Sequence, residues 1–253
     1  KKDCIMRVKF DEPLKINGPY GDMDAKYQPR QDDEAPNNLL IMAHGFRGSM
    51  EGGGRAAYLS QMASLFVNVL RFNFTGSQIL SHQIEELNAV LDFAVKEYKN
   101  PRIFLLGRSM GGAASLVTAS RRSEIAGLTL WATPNDLHAT FKNALGTDNY
   151  NRLKNGETLN LEDERGSITL TPDFVSDLDN YDLQAMLKAW QKRPLLVIHG
   201  SEDETVNVEQ AQRSFALAGR PKKLVIVNGA DHSFTNHSNK AAEEVIGWLR
   251  SRL

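Results

Sequence analysis

Ser109 stands in Gly107-Arg108-Ser109-Met110-Gly111, directly after the apolar run Ile103–Leu106 and ahead of the small residues Gly112, Ala113 and Ala114. A serine hydroxyl is a poor nucleophile until a base takes its proton and a carboxylate orients that base. The pattern places a serine on a sharp turn from strand to helix, where a side chain two positions to either side would collide with backbone, and glycine removes the collision. Such a turn lifts the hydroxyl above the strand ends, at the positive end of the following helix. A bare glycine-rich turn needs no strand before it, no helix after it and no partners downstream.

The partners are sought in the order serine, acid, histidine. After the run "PLLVIHG" comes "SEDETV", which puts Asp203 in a loop at a strand's C-terminal edge; after "KLVIVNG" comes "ADHSF", which puts His232 at the next edge. Loops at the same end of a parallel sheet bring such side chains together. The other histidines have plainer readings. His44 and His199 end apolar runs before a glycine, where local bonding to backbone is the usual role, His82 and His237 sit at helix starts, and His138 lies in an inserted segment. Glu202, Glu204 and Asp231 crowd the same loops as solvated carboxylates, whereas Asp136, after the preceding strand, competes with Asp203 for the role of acid. A tetrahedral intermediate also needs two backbone N–H donors. Met110 supplies one, and "HGFRGS" after the run "LLIMA" makes Phe46 the other. No grouping of His, Asp, Glu or Cys has metal-ligand spacing, and no cofactor is expected.

These residues need a frame that delivers several loops to one edge. Short apolar runs recur at Leu39–Ala43, Val67–Phe72, Ile103–Leu106, Leu128–Ala132, Leu195–His199 and Leu224–Val227, and read as buried strands. Between them lie helix-period segments, the clearest being Ile84, Leu87, Leu91, Val95 and Tyr98 on one face, with Val245, Ile246, Trp248 and Leu249 closing the chain. Strands separated by helices imply an α/β fold in three layers, a mostly parallel central sheet flanked by helices. Ile5–Phe10 is expected to pair antiparallel at the edge. Residues 134–190 are too long for a connection and carry "ETLNLEDERGSITLT", a hairpin turning near Arg165–Gly166, so they read as a cap inserted into a core made of 1–133 and 191–253.

Composition narrows the partners. With 253 residues, 41% hydrophobic and 24% charged, the chain can bury one large core. Thirty Lys and Arg face 31 Asp and Glu, so there is no basic field for nucleic acid. No apolar run approaches the roughly 18–20 residues of a membrane helix, and no membrane partner is expected. "KKDCIMRVKF" lacks the apolar stretch of a secretion signal, and the lone Cys4 cannot form an internal disulfide, which makes the cytoplasm the expected compartment.

Taken in order, "HGFRGS", "GRSMGG", "HGSEDETV" and "GADHSF" resemble the α/β-hydrolase superfamily over nearly the whole chain. Within it the chain is most similar to the small bacterial branch of cinnamoyl/feruloyl esterases, dienelactone-hydrolase-like and serine-aminopeptidase-like hydrolases. The resemblance implies Ser109 as nucleophile, Asp203 as acid, His232 as base, and Phe46 and Met110 as oxyanion donors, the same set read from the residues. Two departures stand out: Asn73 occupies a position where relatives commonly carry Asp, followed by a short loop, and the cap matches no relative closely. The expected activity is cofactor-independent hydrolysis of small-molecule carboxylic esters with short or aromatic acyl groups, with Phe141, Leu145, Tyr150, Leu153, Phe174 and Tyr181 lining an apolar pocket over Ser109. A peptidase acting on small peptides and a non-catalytic binding protein of the same fold are the alternatives.

Overall fold

The computed structural model describes residues 8–32 and 37–253. The sheet begins with a hairpin, β1 (Glu12–Gly18) and β2 (Gly21–Gln28), and continues through β3 (Asn38–Ala43), α1 (Arg55–Ala63), β4 (Asn68–Phe72), α2 (Leu80–Glu97), β5 (Arg102–Arg108), α3 (Met110–Arg121) and β6 (Ile125–Trp131). Between β6 and the next strand of the main sheet come α4 (Leu137–Leu145), α5 (Thr147–Lys154), the strands β7 (Leu159–Asp163) and β8 (Gly166–Leu170), α6 (Asp173–Ser176) and α7 (Leu183–Ala189). The chain then closes with β9 (Leu195–Gly200), α8 (Val208–Leu217), β10 (Lys222–Val227) and α9 (Ser238–Arg250). All six apolar runs form strands of one eight-stranded sheet, in the order β1-β2-β4-β3-β5-β6-β9-β10. The β1/β2 and β2/β4 pairs are antiparallel and the remaining pairs parallel.

The edge differs from the expectation. Ile5–Arg7 lie outside the described residues and Val8–Phe10 form no strand; the antiparallel edge is the β1/β2 hairpin instead. Its signal is alternation rather than a continuous apolar run: Met23 and Ala25 are buried while Asp22 and Asp24 face solvent. One face of this pair packs on the core and the other is wet, which antiparallel edge strands permit.

Strand alternation divides the core in two. Leu39 and Ile41 of β3, with Leu105 of β5, face the layer that holds Leu87 and Leu91 of α2 and Leu116 and Val117 of α3. Leu40 and Met42, with Phe104 and Leu106, face the layer of Leu59 from α1 and Val245, Trp248 and Leu249 from α9. The sheet is therefore covered on both faces, as parallel strands require. From β3 the chain crosses to β4 on one side, then returns to place β5 on the other, so the reversal of winding falls between β3 and β5. The ends of those two strands open a crevice where a ligand can enter. β7 and β8 form the hairpin expected in "ETLNLEDERGSITLT", with Asp163 opposite Gly166 at its turn. Arg47, in the loop after β3, ties that hairpin down: Nη1 donates to Asp163 Oδ2 at 2.7 Å and Nη2 to the Gly166 carbonyl at 2.6 Å. Among the described residues no helix is long and apolar enough to cross a membrane.

Candidate active site

Ser109 follows β5 directly and occupies the N-cap position of α3 with φ 52° and ψ −122°, a backbone conformation uncommon for a residue with a side chain. Neighbours hold it there. Its N–H donates to the Trp131 carbonyl at 2.9 Å, and its own carbonyl accepts from Gly112 N–H at 2.9 Å. The flanking glycines are required by close approach: a Cβ on Gly111 would run into the carbonyls of Ala43 and His44, and one on Gly107 into the Gly111 carbonyl and Ser115 Oγ. The helix thus packs against the β3 end with no room for a side chain, and the hydroxyl rises at the strand edge.

His232, in the loop after β10, places Nε2 3.1 Å from Ser109 Oγ. Its Nδ1 lies 2.8 Å from Asp203 Oδ2 and 3.0 Å from Oδ1, Asp203 coming from the loop after β9. The parallel pairing of β9 with β10 and of β6 with β9 brings these loops to the same edge as the turn after β5. The Asp203 side chain is withdrawn from solvent, and Oδ1 also accepts from the backbone N–H of Thr205 at 3.0 Å and of Val206 at 2.8 Å. Burial alone would raise this carboxyl, but hydrogen bonds from His199 and His232, the charge of His232 and the Val206 N–H hold it well below the usual carboxylate range. An ionised carboxylate only accepts. Nδ1 of His232 must therefore carry the proton, which leaves Nε2 free to accept from the serine hydroxyl.

The other candidates are engaged elsewhere. Asp136 caps α4, its Oδ1 accepting from Ala139 N–H at 2.9 Å, and makes no contact with His232. Asp231 accepts from Thr235 N–H and Oγ1 at 2.9 and 2.7 Å. His44 donates through Nδ1 to the Gly45 carbonyl at 2.9 Å and accepts from Phe74 N–H at 3.1 Å through Nε2; burial pulls its pKa below the ordinary histidine value. His199 bonds to backbone as expected, at 2.7 Å from the Val206 carbonyl, but also approaches Asp203, a contact that the sequence alone does not signal.

Two backbone N–H groups belong to the segments that meet at this turn, those of Phe46 and Met110. The loop after β3 passes so close that a Cβ on Gly45 would stand 3.1 Å from Ser109 Cβ. In that loop Arg47 N–H is used by Gln78 Oε1 at 3.1 Å and Gly48 N–H by the Gly45 carbonyl at 2.9 Å, whereas Phe46 N–H has no acceptor among the described residues. Met110 is the first residue of α3, and first-turn N–H groups have no acceptor within their helix. Asn73, the departure from the family pattern, serves the adjoining loop: its Oδ1 accepts from Met50 N–H at 2.7 Å.

Over these groups lies a cleft of about 450 Å³, walled by Phe46, Ser109, Phe141 and His232, and by Arg47, Arg55, Arg108 and Arg165 among others. Of the six apolar residues expected to line a pocket, only Phe141 reaches it. Tyr150, Leu153 and Phe174 are buried in the core, Leu145 packs against it, and the Tyr181 hydroxyl bonds to Ser81 Oγ. The segment between β6 and β9 spends its apolar stripe on its own attachment, as amphipathic elements do. Phe141 meets Phe46 edge-on with ring centroids 5.7 Å apart. The arginines of the cleft are the part that the spacing of apolar residues does not reveal.

A family model described as the prolyl oligopeptidase family matches residues 78–253. The backbone is similar to that of Est1E from Butyrivibrio proteoclasticus, with a TM-score of 0.79 at 20% identity over 95% of this chain and 98% of that one. It is also similar to the esterase domain of a Rhodothermus marinus protein, with a TM-score of 0.72 at 24% identity over 96% and 98% of the two chains. XC6422 from Xanthomonas campestris, an α/β serine hydrolase without lid, aligns with a TM-score of 0.67 at 18% identity over 96% and 95%. No curated protein matches the chain in sequence. At these identities the structural likeness establishes the fold.

Proposed function

Because the chain belongs to the prolyl oligopeptidase family, within the α/β-hydrolase superfamily, we propose that Ser109, His232 and Asp203 form the triad of a serine hydrolase that cleaves carboxylic esters through an acyl-enzyme. The observation that carries this reading is the unbroken line of contacts from Ser109 Oγ to His232 Nε2 at 3.1 Å and from His232 Nδ1 to Asp203 Oδ2 at 2.8 Å. In the first half-reaction Oγ attacks the ester carbonyl while Nε2 takes its proton, and Asp203 stabilises the imidazolium that forms. The N–H groups of Phe46 and Met110 stabilise the oxyanion. His232 then returns the proton to the leaving alkoxide as the carbonyl re-forms, and water repeats the sequence on the acyl-enzyme to release the acid.

Residues 134–190 act in this reading as a cap. Support comes from Thr140, Phe141 and Ala144 of α4 and Arg165 of the β7/β8 turn, which stand in the wall of the cleft. A cleft of this size closed by Phe46 and Phe141 favours compact acyl groups, short or aromatic, over long chains. The family match supports a second reading, amide hydrolysis of small peptides, since the same triad cleaves amides where a pocket holds the substrate amine.

A fluorophosphonate probe and a substrate panel test these statements. Intact mass should show one adduct, on Ser109, abolished in Ser109→Ala; folded protein that stays unlabelled would overturn the hydrolase reading. Acetyl, butyryl, octanoyl, palmitoyl and feruloyl esters and aminoacyl amides are then compared by kcat/KM, the ratio that reports differential transition-state binding. Preference for palmitoyl esters overturns the compact pocket, and preference for aminoacyl amides favours the peptidase.

A further inference from the structure

Four arginines stand in the wall of the cleft, and they divide into two pairs. Arg47 and Arg165 both donate to Asp163 Oδ2, so each has a carboxylate partner, although the two share it. Arg55 and Arg108 have no ion pair among the described residues: Arg55 Nη1 donates to the Ser233 carbonyl at 3.0 Å and Arg108 Nη2 to the His232 carbonyl at 2.9 Å, and neutral oxygens are all they find. Both also line a recess of about 90 Å³ that shares Gly45, Ser49 and Ser233 with the cleft and is otherwise bounded largely by apolar side chains, among them Met42, Leu59 and Leu106. Trp131 closes it. Two donors of that wall, Arg108 Nε and Trp131 Nε1, are buried without any partner.

An unpaired guanidinium in such surroundings is costly, because desolvation is not offset by an opposite charge. Burial draws the Arg108 pKa below the usual arginine value and the neighbouring Arg55 draws it further. Asp203 and Asp231 oppose this from a distance, yet each is already committed, Asp203 to His232, His199 and two backbone N–H groups, and Asp231 to Thr235. No Asp or Glu lines either the cleft or the recess. The site thus holds two neighbouring cations and two orphaned donors with no carboxylate in ion-pair contact; Asp231, whose carboxyl the Arg55 charge helps to lower, acts on them only at longer range.

We propose that the substrate carries an oxyanion group, a carboxylate or a phosphate, which seats between Arg55 and Arg108 at the recess beside Ser109. Guanidinium forks suit the planar oxygens of a carboxylate or the oxygens of a phosphate, and charge-assisted bonds of this kind are about twice as strong as neutral ones. The inference rests on the hydrolase reading of Ser109 and narrows its substrate class to anionic esters. It also explains why the apolar residues of the inserted segment are not needed to line the pocket.

The test uses matched esters. On the acyl side, p-nitrophenyl butyrate is compared with p-nitrophenyl hemiglutarate and p-nitrophenyl 4-phosphonobutyrate, which add a carboxylate or a phosphonate at the chain end. On the alcohol side, propyl butyrate is compared with 2-carboxyethyl butyrate. The native protein should favour at least one anionic ester over its neutral counterpart by roughly ten- to a hundredfold in kcat/KM, the range expected of a charged hydrogen-bonded contact. The carboxylate and phosphonate arms distinguish the two ligand groups. Arg55→Gln should cut the anionic-to-neutral ratio by about tenfold or more, and high salt should narrow it. Labelling of Ser109 by the fluorophosphonate with hydrolysis of butyrate but no anionic preference in any arm overturns this inference and leaves the hydrolase standing. An unlabelled, inactive protein overturns both. An anionic preference that survives Arg55→Gln intact overturns the assignment of the recess.

Discussion

His199 Nε2 stands 3.2 Å from Asp203 Oδ2 and 2.7 Å from the Val206 carbonyl, with the two side chains fully withdrawn from solvent. A carbonyl at that distance requires Nε2 to carry the proton, so the same N–H also reaches the carboxylate. His199 Nδ1 has no partner. Asp203 is therefore fixed between two imidazoles, His232 on the side of Ser109 and His199 behind. His199→Phe keeps a ring and removes the donor. It should lower kcat several-fold to about tenfold with little change in KM, while His199→Gln, which can still donate, should recover part of the loss; the hydrogen bond at stake is made to a charged group, for which about 1.5–3 kcal/mol is typical. Equal losses in both variants would reduce His199 to a packing role.

Asp203 and Asp136 are separated by what each carboxylate holds. Asp203→Asn should reduce turnover by about three to four orders of magnitude, because an amide lets the imidazole adopt the wrong tautomer. Asp136→Ala removes only a helix cap, so about 0.5–2 kcal/mol of stability should go while turnover stays within a few-fold. Steady-state kinetics and denaturant unfolding on both variants decide the ranking, and the reverse order would move the acid to the β6 loop.

Gly111 lies against the carbonyls of Ala43 and His44 with no space for a Cβ. Gly111→Ala must push α3 away from the end of β3, at an expected cost of about 1–3 kcal/mol or more, since backbone rather than a flexible side chain has to give. The displacement should also move Ser109 relative to His232. Thermal unfolding should show a lowered Tm, and fluorophosphonate labelling should slow even in the fraction that remains folded. Normal labelling at a normal Tm would contradict the packing described.

Asp203 also links stability to pH. Its folded pKa is depressed while an unfolded aspartate titrates near about 3.9. The unfolded chain therefore binds the proton first as pH falls, so the contribution of Asp203 is complete above that value and is progressively lost below it. Unfolding free energies of the native protein and Asp203→Asn, measured from pH 7 down to pH 3, should converge as the solution becomes acid. A difference that stays constant across that range would mean that the carboxylate is not held ionised.

The order of elements was readable because it depends on local physics. Buried parallel strands need continuous apolar runs, and all six appear as such; α2 and α9 declare themselves by helical spacing; Gly107 and Gly111 around Ser109 specify a turn that tolerates no side chain. The β1/β2 hairpin escaped because an edge strand with one wet face alternates polar and apolar residues and so lacks a run. The positions of Ser109, Asp203 and His232 at strand ends follow from the same reading.

The sequence by itself thus determined a β/α alternation and a serine at its sharpest turn, since propensity, periodicity and glycine sterics act between near neighbours. Tertiary structure alone decided which carboxylate faces His232: Asp136 and Asp203 both follow strands, and the parallel register of β9 with β10 turns only the latter toward the histidine while the start of α4 takes up the former. It likewise decided that His199 stands behind Asp203, that Tyr150, Leu153 and Phe174 are buried in the core instead of lining a pocket, and that Arg55 and Arg108 line one recess in which no Asp or Glu stands. These are contacts between residues far apart in the chain, fixed by where the packed layers place each side chain, and no local pattern encodes them.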